Sequence, residues 1–391
     1  MLTGNLCKTL CLFLVSAFAT TAQQAPAPRI VDLTAPDGLK LKGTFFAAAA
    51  PGPGVLLLHQ CNRQRKVWDE LATRMTASGL NVMTVDLRGY GDSEGTPIDK
   101  LTPEQINVVF TEKMPLDVET AYKFLVAQPT ISPGLLAVGG ASCGVNQSVH
   151  LAMNYPEIKA LVLLSEITDI DGRNFLRADP SLPLFLATAE DDADPGVSDL
   201  MQWLSTFSTN PRSKFLRYKT GGHGVEMFAA HPELPATIVE WVAIAVRSPS
   251  ASSAKTPPNA SPETRFLDAL DQPGAAAQAS PLYTEAFGKN PNGPGVSELV
   301  LNRLGYDHLQ TGDKKGAIAI LKLNSSLYPN SPNVYDSLGD AYLADGQNDL
   351  ARQNAQKAIE LLAHDTSDPE DRQKGIRDNA EQKLKQLSQP R

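Results

Sequence analysis

The sequence lacks an apolar run long enough to cross a membrane. Its one candidate, Leu10 to Phe18, falls well short of the roughly 20 residues that a transmembrane helix needs. Lys8 precedes this run, and small residues follow at Ala17-Phe18-Ala19 and Thr20-Thr21-Ala22, which is the arrangement of a cleaved secretory signal. We therefore expect residues 1–22 to be a signal peptide, and the mature protein to be periplasmic or extracellular with no membrane span.

Cysteine is almost absent, since the 391 residues include only 4. Cys7 and Cys11 lie within the expected signal peptide, so the mature chain keeps Cys61 and Cys143. No cysteine stands at the end of the apolar run, where a lipid anchor would be attached, and a lipoprotein is therefore not expected. After export, the two remaining cysteines would stand in an oxidising compartment.

Basic residues are also fewer than acidic ones. The chain has 35 Lys and Arg against 43 Asp and Glu, which gives a formal net charge of −8. This balance argues against a nucleic acid or an anionic membrane surface as a partner. The remaining composition, 42% hydrophobic and 20% charged, is that of a folded protein, and the length suffices for two or three domains.

Apolar runs of strand length alternate with helical stretches between residues 30 and 246. Several of these runs are continuous, which is typical of strands buried on both faces. A hairpin comes first, and the runs are Ile30–Leu33, Leu39–Phe46, Val55–Leu58, Leu80–Val85, Leu135–Val138, Ala160–Leu164, Leu184–Ala187 and Phe215–Tyr218. We expect an α/β fold with a mostly parallel sheet covered by helices on both faces, and a site at the carboxyl ends of its strands.

The stretch from Leu135 to Val149 reads LLAVGGASCGVNQSV, which predicts a strand, a sharp turn and a helix. Gly140 and Gly144 flank Ser142 at the spacing G-x-S-x-G, where a side chain on either glycine would clash as the backbone turns and exposes one hydroxyl. Ser142 is the candidate nucleophile. The backbone N–H of Cys143, at the positive end of the helix, can stabilise an oxyanion. Taken alone, the motif also fits an ordinary glycine-rich turn.

Four stretches together resemble the α/β-hydrolase superfamily, and within it the dienelactone-hydrolase-like and esterase-like serine hydrolases. They are the histidine-containing turn after Leu58, the stretch Asp86 to Ser93, the Ser142 turn and a late histidine. The resemblance covers Arg29 to about Val246 and implies a triad in the chain order nucleophile, acid, base. It implies neither a cofactor nor a metal. Asp86 and Arg88 are expected to form an ion pair that braces their turn.

The resemblance favours His223 as the base. It lies in Thr220-Gly221-Gly222-His223-Gly224, directly after the last apolar strand, where a loop can bring it over the serine. An imidazole titrates near neutrality and can take the serine proton. His59 matches the turn before the oxyanion donor and is expected to be structural, and His150 and His231 are expected to have no catalytic part.

The acid should follow a strand between the serine and the base. The loop after Ala187 carries four carboxylates, Glu190, Asp191, Asp192 and Asp194. By position in the corresponding loop of the family, Asp192 is the preferred acid and Asp191 the alternative. Glu166, just past the preceding strand, is a third candidate. Whichever it is should hold the imidazole tautomer and stabilise the imidazolium.

The resemblance also supplies a second oxyanion donor, the backbone N–H of Cys61. The chain departs from the usual pattern here, because Gln60 stands where glycine is common. Cys61 and Cys143 then occupy the two positions whose amides would face one substrate oxygen. We hypothesise a Cys61–Cys143 disulfide that fixes the oxyanion hole; the alternative is a buried, inert thiol at Cys61.

Substrate size is bounded by two stretches beside the site. Ser165 to Ser181, where many lipases insert a lid, is short and polar. Glu94 to Glu112 carries Ile106, Val108, Val109 and Phe110 and could cover one side of the cleft. An open site with at most a small flap favours small or exposed esters over long-chain lipids.

The character of the chain changes after the hydrolase-like part, which we place at residues 23–247. Residues 248–262 are a linker rich in proline and serine, and a helical domain follows at 263–391. In it, Leu304-Gly305, Gly312 and Ala317 recur 34 residues later as Leu338-Gly339, Gly346 and Ala351. This period resembles tetratricopeptide repeats at 298–331 and 332–365. A capping helix with a stripe of Ile376, Ala380, Leu384 and Leu387 should follow.

These patterns predict an exported serine hydrolase that cleaves carboxylic esters through an acyl-enzyme. The substrate would be a small-molecule ester, and the helical repeats could bind a protein partner. A peptidase of the same fold is one alternative, because ester and amide cleavage use the same triad. An inert hydrolase fold that serves as a binding protein through its repeats is the alternative from another class.

Overall fold

A computed structural model gives the fold and describes residues 25–194, 196–247, 260–272, 274–288, 295–366 and 368–388. The expected signal peptide at 1–22 and all but the last three residues of the expected linker at 248–262 lie outside the described residues. Within the described ranges, no helix is both long enough and apolar enough to span a bilayer.

An eight-stranded sheet organises the first part of the chain. Its strand order is β1-β2-β4-β3-β5-β6-β7-β8, and only β2 runs antiparallel to its neighbours. The strands are β1 (Arg29–Thr34), β2 (Lys40–Phe46), β3 (Gly52–Leu58), β4 (Asn81–Val85), β5 (Ile131–Ala141), β6 (Ile158–Leu164), β7 (Leu184–Ala189) and β8 (Lys214–Tyr218). The predicted mostly parallel sheet is confirmed.

Helices cover both faces of this sheet. In chain order they are α1 (Asp69–Ala77), α2 (Pro103–Val108), α3 (Met114–Val126), α4 (Cys143–Asn154), α5 (Ile170–Ala178), α6 (Val197–Leu204), α7 (Met227–Ala230) and α8 (Glu233–Arg247). Every residue of β3 is buried, and successive side chains point to opposite faces. Val55 packs in one apolar layer with residues of α1 and α8, whereas Leu56 packs in the other with residues of α3 and α4.

Among the described residues, seven α-helices follow the sheet and form what we call the helical module, residues 260–388. They are α9 (Pro262–Leu270), α10 (Ala279–Phe287), α11 (Glu298–Gln310), α12 (Lys314–Leu327), α13 (Pro332–Ala344), α14 (Asn348–Leu362) and α15 (Glu370–Ser388). The turns of the pairs α11/α12 and α13/α14 contain Gly312 and Gly346, both with positive φ. Ile376 and Ala380 of α15 pack against α14 in one buried cluster, as the predicted stripe requires.

The expected Asp86–Arg88 ion pair is wrong. The Arg88 guanidinium instead binds Asp117 on α3 (2.6 Å) and Asp37 in the β1–β2 turn (2.8 Å). The Asp86 carboxylate accepts hydrogen bonds from both the side chain and the backbone N–H of Arg65. The two side chains reach partners on different neighbouring segments, which the sequence pattern does not reveal. Both remain structural, since each holds the segment after β4 in place.

The helical module is docked onto the hydrolase-like part through a buried ionic cluster. Arg173 on α5 is fully buried, and its Nη2 lies 2.6 Å from Asp271 and 2.9 Å from Asp307, both in the module. Arg177, one turn further along α5, adds a 2.6 Å contact with Asp271. Apolar residues of α9 and α11 belong to the same buried cluster as those of α5 and α6. The two parts therefore pack as one body.

Candidate active site

Ser142 stands at a tight turn between β5 and α4. Its backbone has φ 51° and ψ −126°, a strained conformation for a residue with a side chain. A Cβ on Gly140 would lie 2.1 Å from the carbonyl oxygen of Gly144, and a Cβ on Gly144 would lie 2.5 Å from that of Leu58. Both flanking residues must therefore be glycine, which is the steric condition for a nucleophile elbow.

Cys61 and Cys143 form a disulfide, with their Cα atoms 5.8 Å apart. The bond joins the turn after β3 to the first residue of α4. Neither amide N–H of the two cysteines donates a hydrogen bond within the described part of the chain, so both are free for a ligand. The disulfide thus ties the two residues whose amides are the predicted oxyanion donors to each other, and Cys143 directly follows Ser142.

Replacing both cysteines with serine is expected to lower the free energy of unfolding by about 2–4 kcal/mol, because the unfolded chain loses a long covalent loop. Urea denaturation at equilibrium measures this change. Wild-type protein treated with reductant should match the double variant, since the same bond is then missing. An unchanged urea midpoint in both samples would show that the bond carries no stability.

His223 follows β8, and its Nδ1–H donates a 2.7 Å hydrogen bond to Asp192 Oδ1. Asp192 is 7% exposed, so this bond lies largely out of water. Burial lowers the pKa of His223, but the hydrogen bond and charge of Asp192 outweigh it, and the pKa lies above its usual 6.5. The bond leaves Nε2 as the ring nitrogen that can accept a proton.

The structure separates the three candidate acids. Asp192 is the one that binds His223, whereas Asp191 Oδ1 accepts a hydrogen bond from the backbone N–H of Gly222 (2.9 Å). Glu166 Oε1 accepts from the backbone N–H of Ile167 (2.9 Å) and lies 3.5 Å from an arginine of the helical module, Arg303. Asp192, the acid preferred from the sequence, is therefore the carboxylate in contact with the imidazole.

The segment after His223 folds back over the Ser142 turn. A Cβ on Gly224 would lie 3.4 Å from the Cβ of Ala141, the residue before Ser142. The side chain of Gln60 fixes this approach, because its Oε1 accepts a 3.0 Å hydrogen bond from the backbone N–H of Val225. Among the described residues, Ser142 Oγ makes no hydrogen bond; hydroxyl–imidazole contacts often tighten only when substrate is bound.

The other three histidines of this part have local partners. His59 is fully buried, its Nε2 accepts from the backbone N–H of Leu87 (3.1 Å), and burial lowers its pKa, so the ring is neutral and structural. His150 Nε2–H donates to Asp169 (2.8 Å). His231 stacks on Tyr218, with ring centroids 3.7 Å apart.

Three residues near the site were not predicted to take part in it. Gln60 was noted only as a departure from glycine, yet it anchors the loop after His223. Glu226 Oε2 accepts a 3.1 Å hydrogen bond from the backbone N–H of His223. The only sequence signal for this contact is that Glu226 follows His223 by three residues. Arg303 comes from the helical module, and no sequence signal near the motifs points to it.

Comparison with known proteins covers the hydrolase part. Residues 49–205 match the family serine aminopeptidase, S33; the match includes Ser142 and Asp192 and ends before His223. An uncharacterized protein of Mycobacterium tuberculosis (strain ATCC 25618 / H37Rv) is 31% identical over 147 residues, which is 37% of this chain and 48% of that protein. Thiohydrolase aneE of Aspergillus aculeatus is 32% identical over 144 residues, 37% of this chain and 43% of that protein.

The chain thus spans about half the length of these relatives or less. Among solved structures, the Pyrococcus furiosus esterase Pf2001 matches with a TM-score of 0.44 and 20% identity, over 56% of this chain and 93% of that chain. The thioesterase domain from the curacin biosynthetic pathway matches with a TM-score of 0.40 and 17% identity, over 56% and 99%. The sheet topology and the Ser142 turn give residues 29–247 the α/β-hydrolase fold, and the family match to residues 49–205 agrees with it.

Proposed function

We propose that this protein is an exported serine hydrolase that cleaves carboxylic esters, including thioesters, through an acyl-enzyme. The observation that carries the proposal is the 2.7 Å His223–Asp192 hydrogen bond, made by a loop that packs against the strained Ser142 turn. A hydroxyl on such a turn, an oriented imidazole and two free amides are the parts that acyl transfer needs. The name of the thiohydrolase relative points to the same chemistry.

In the proposed mechanism, Ser142 Oγ attacks the ester carbonyl while His223 Nε2 takes its proton. Asp192 holds the imidazole in the required tautomer and stabilises the imidazolium. The amides of Cys61 and Cys143 donate to the oxyanion of the tetrahedral intermediate. As the intermediate collapses, His223 returns the proton to the leaving alcohol or thiol. Water then repeats these steps on the acyl-enzyme and releases the acid.

We propose small or exposed acyl groups as substrates. The segment after β6 forms the short helix α5, which is held against the helical module through Arg173 and Arg177 and is not a free lid. The stretch with α2 lies beside α4, because Gln147 Nε2 donates a 3.0 Å hydrogen bond to the carbonyl oxygen of Phe110. This stretch would cover one side of the cleft.

A peptidase is the second candidate, and the match to serine aminopeptidase, S33, favours it. Export is also part of the proposal, since a disulfide beside the site suits an oxidising compartment. The 34-residue recurrence in the helical module supports tetratricopeptide-like repeats, and a protein partner for them remains a proposal of ours. The dienelactone-hydrolase-like subtype likewise stays a prediction.

The test is the hydrolysis of p-nitrophenyl esters, acyl thioesters and aminoacyl anilides by the whole protein from roughly pH 5 to 9. We expect kcat/KM to be highest for short acyl esters or thioesters. It should rise with pH through a midpoint above 6.5, because the neutral form of His223 is the base and contact with Asp192 raises its pKa. Faster cleavage of the anilides would replace this proposal with the peptidase.

The variant Asp192→Asn provides the matched control for the pH dependence. It keeps the size of the side chain and removes the negative charge that raises the pKa of His223. The midpoint of its pH profile should move to lower pH, and its rate should fall because the tautomer is no longer enforced. A profile identical to that of wild type would mean that His223 is not the titrating base.

A further inference from the structure

The loop that carries the proposed acid lies directly against the helical module. Gly196, at the end of this loop, has φ 95°. A Cβ at this position would lie 3.0 Å from Ser297 Oγ and 3.3 Å from Val300 Cγ2, at the beginning of α11. The loop between β7 and α6 carries Asp192 and Asp194, and we call it the acid loop. It therefore packs against the first turn of α11.

The same helix extends a charged side chain to the carboxyl edge of the sheet. Arg303 Nη2 lies 3.5 Å from Glu166 Oε1, and its Nε lies 3.5 Å from Asp307 Oδ1. The Glu166 side chain is only 16% exposed and immediately follows Ser165 at the end of β6, the strand between those that lead to Ser142 and Asp192. Asp307 is itself held by Arg173. Arg303 thus contacts Glu166 of the hydrolase-like part and Asp307 of its own helix.

Cations of the helical module offset part of the negative charge that acts on His223. Against the effect of burial, the hydrogen bond and charge of Asp192 raise the pKa of His223, and the charges of Glu166 and Asp194 act in the same direction. The carboxylate of Glu226 accepts the backbone N–H of His223. Arg303 acts on both Glu166 and Asp194, and Arg372 of the module acts on Asp194. Arg63, on the loop after β3, pairs with Glu226 at 2.9 Å.

We propose that Arg303, supplied by the helical module, is a positioning residue of the active site that acts through Glu166, which follows the strand between those that lead to Ser142 and Asp192. Its cation neutralises a carboxylate that is held out of water, and its helix supports the acid loop. This inference rests on the proposed function and extends it, because it makes the helical module part of the catalytic unit. Burial raises the pKa of Glu166 and Arg303 opposes that rise, which agrees with the same geometry.

The experiment compares Arg303→Met, Arg303→Lys and Arg303→Met/Glu166→Gln in the full chain. The readouts are the titration of the His223 ring by NMR and the values of kcat and KM across pH. In Arg303→Met, the uncompensated carboxylate should move the His223 titration to higher pH and lower kcat near neutrality about fivefold, the effect of one charge at several ångströms, with KM little changed. Lysine should retain most of the wild-type behaviour, and the double variant should return the titration towards wild type.

A His223 titration that is the same in Arg303→Met as in wild type would overturn the inference, and so would a lysine variant as impaired as the methionine variant. Arg377→Met, an exposed position on α15, is the matched control and should change neither readout. If Arg303→Met does not fold, Arg303→Lys and Arg303→Met/Glu166→Gln test the inference instead. A wild-type protein without esterase activity would refute the proposed function. The NMR titration of His223 needs no substrate, so it would still test the role of Arg303.

Discussion

Ser142→Ala is expected to lower kcat for ester hydrolysis by a factor on the order of 10⁴ to 10⁶ and to abolish covalent labelling by a fluorophosphonate probe. Removing the nucleophile of a serine triad costs about this much, and the residual rate comes from the oxyanion donors and substrate binding. The Cys61–Cys143 disulfide keeps those donors in place in the variant. Steady-state kinetics and labelling of the whole protein measure both effects.

The matched control is Ser205→Ala, which removes a hydroxyl that donates only to the carbonyl oxygen of Gln202 (2.6 Å). This variant should be labelled and turn over like wild type. Ser142→Ala should unfold at the wild-type temperature, because alanine meets the same backbone strain at φ 51° that serine does. Labelling of Ser142→Ala at the wild-type rate would place the nucleophile elsewhere and remove the basis of the proposed mechanism.

Arg173→Met is expected to lower the free energy of unfolding by about 3–5 kcal/mol, because it removes the fully buried cation that two buried carboxylates share and leaves them only Arg177 and Arg303. Arg173 is fully buried and contacts both Asp271 and Asp307, and its Nη1 donates to the carbonyl oxygen of Thr168 (2.7 Å). Methionine fills a similar volume, so the loss reports the charge and not a cavity. Urea denaturation of the full chain measures it.

Two further variants define the origin of this loss. Arg173→Met/Asp307→Asn should recover part of the stability, since one of the two carboxylates that lose the Arg173 cation becomes neutral. Arg352→Met removes a partly exposed arginine whose ion pair, with Asp349 at 2.9 Å, is largely in water, and it should change stability by less than about 1 kcal/mol. If Arg173→Met is equally mild, the contact between the hydrolase part and the helical module does not depend on this cluster.

The cluster around Arg173 changes how the helical module is understood. A linker and a repeat pattern suggest an appendage that moves freely and recruits partners. In the structure, α9 and α11 share a buried apolar cluster and two buried ion pairs with α5. The module also contacts the edge of the sheet that carries the candidate site, because α11 bears Arg303 and packs against the loop that precedes α6.

The turn at Ser142 shows what could be predicted from local sequence. Glycine at positions 140 and 144 is required by contacts of a Cβ with the backbone at 2.1 Å and 2.5 Å, and such a requirement is visible in a short motif. The apolar runs predicted all eight strands. The runs of β3 and β7 are fully buried and continuous, because burial on both faces needs apolar residues at every position, whereas β1 alternates. The Cys61–Cys143 hypothesis followed from the family pattern, because the two positions flank one oxyanion hole.

The sequence by itself determined the strands and the serine turn, because these depend on residues that are neighbours along the chain, and the family resemblance implied the chain order of the candidate triad. Only the tertiary structure decided that Asp192 binds His223, that Arg88 pairs with Asp117, and that Arg303 reaches Glu166. Charged side chains are long and have many possible partners, so which pair forms depends on how separate segments pack. The Arg173–Asp271 contact joins residues 98 positions apart, and no local pattern encodes it.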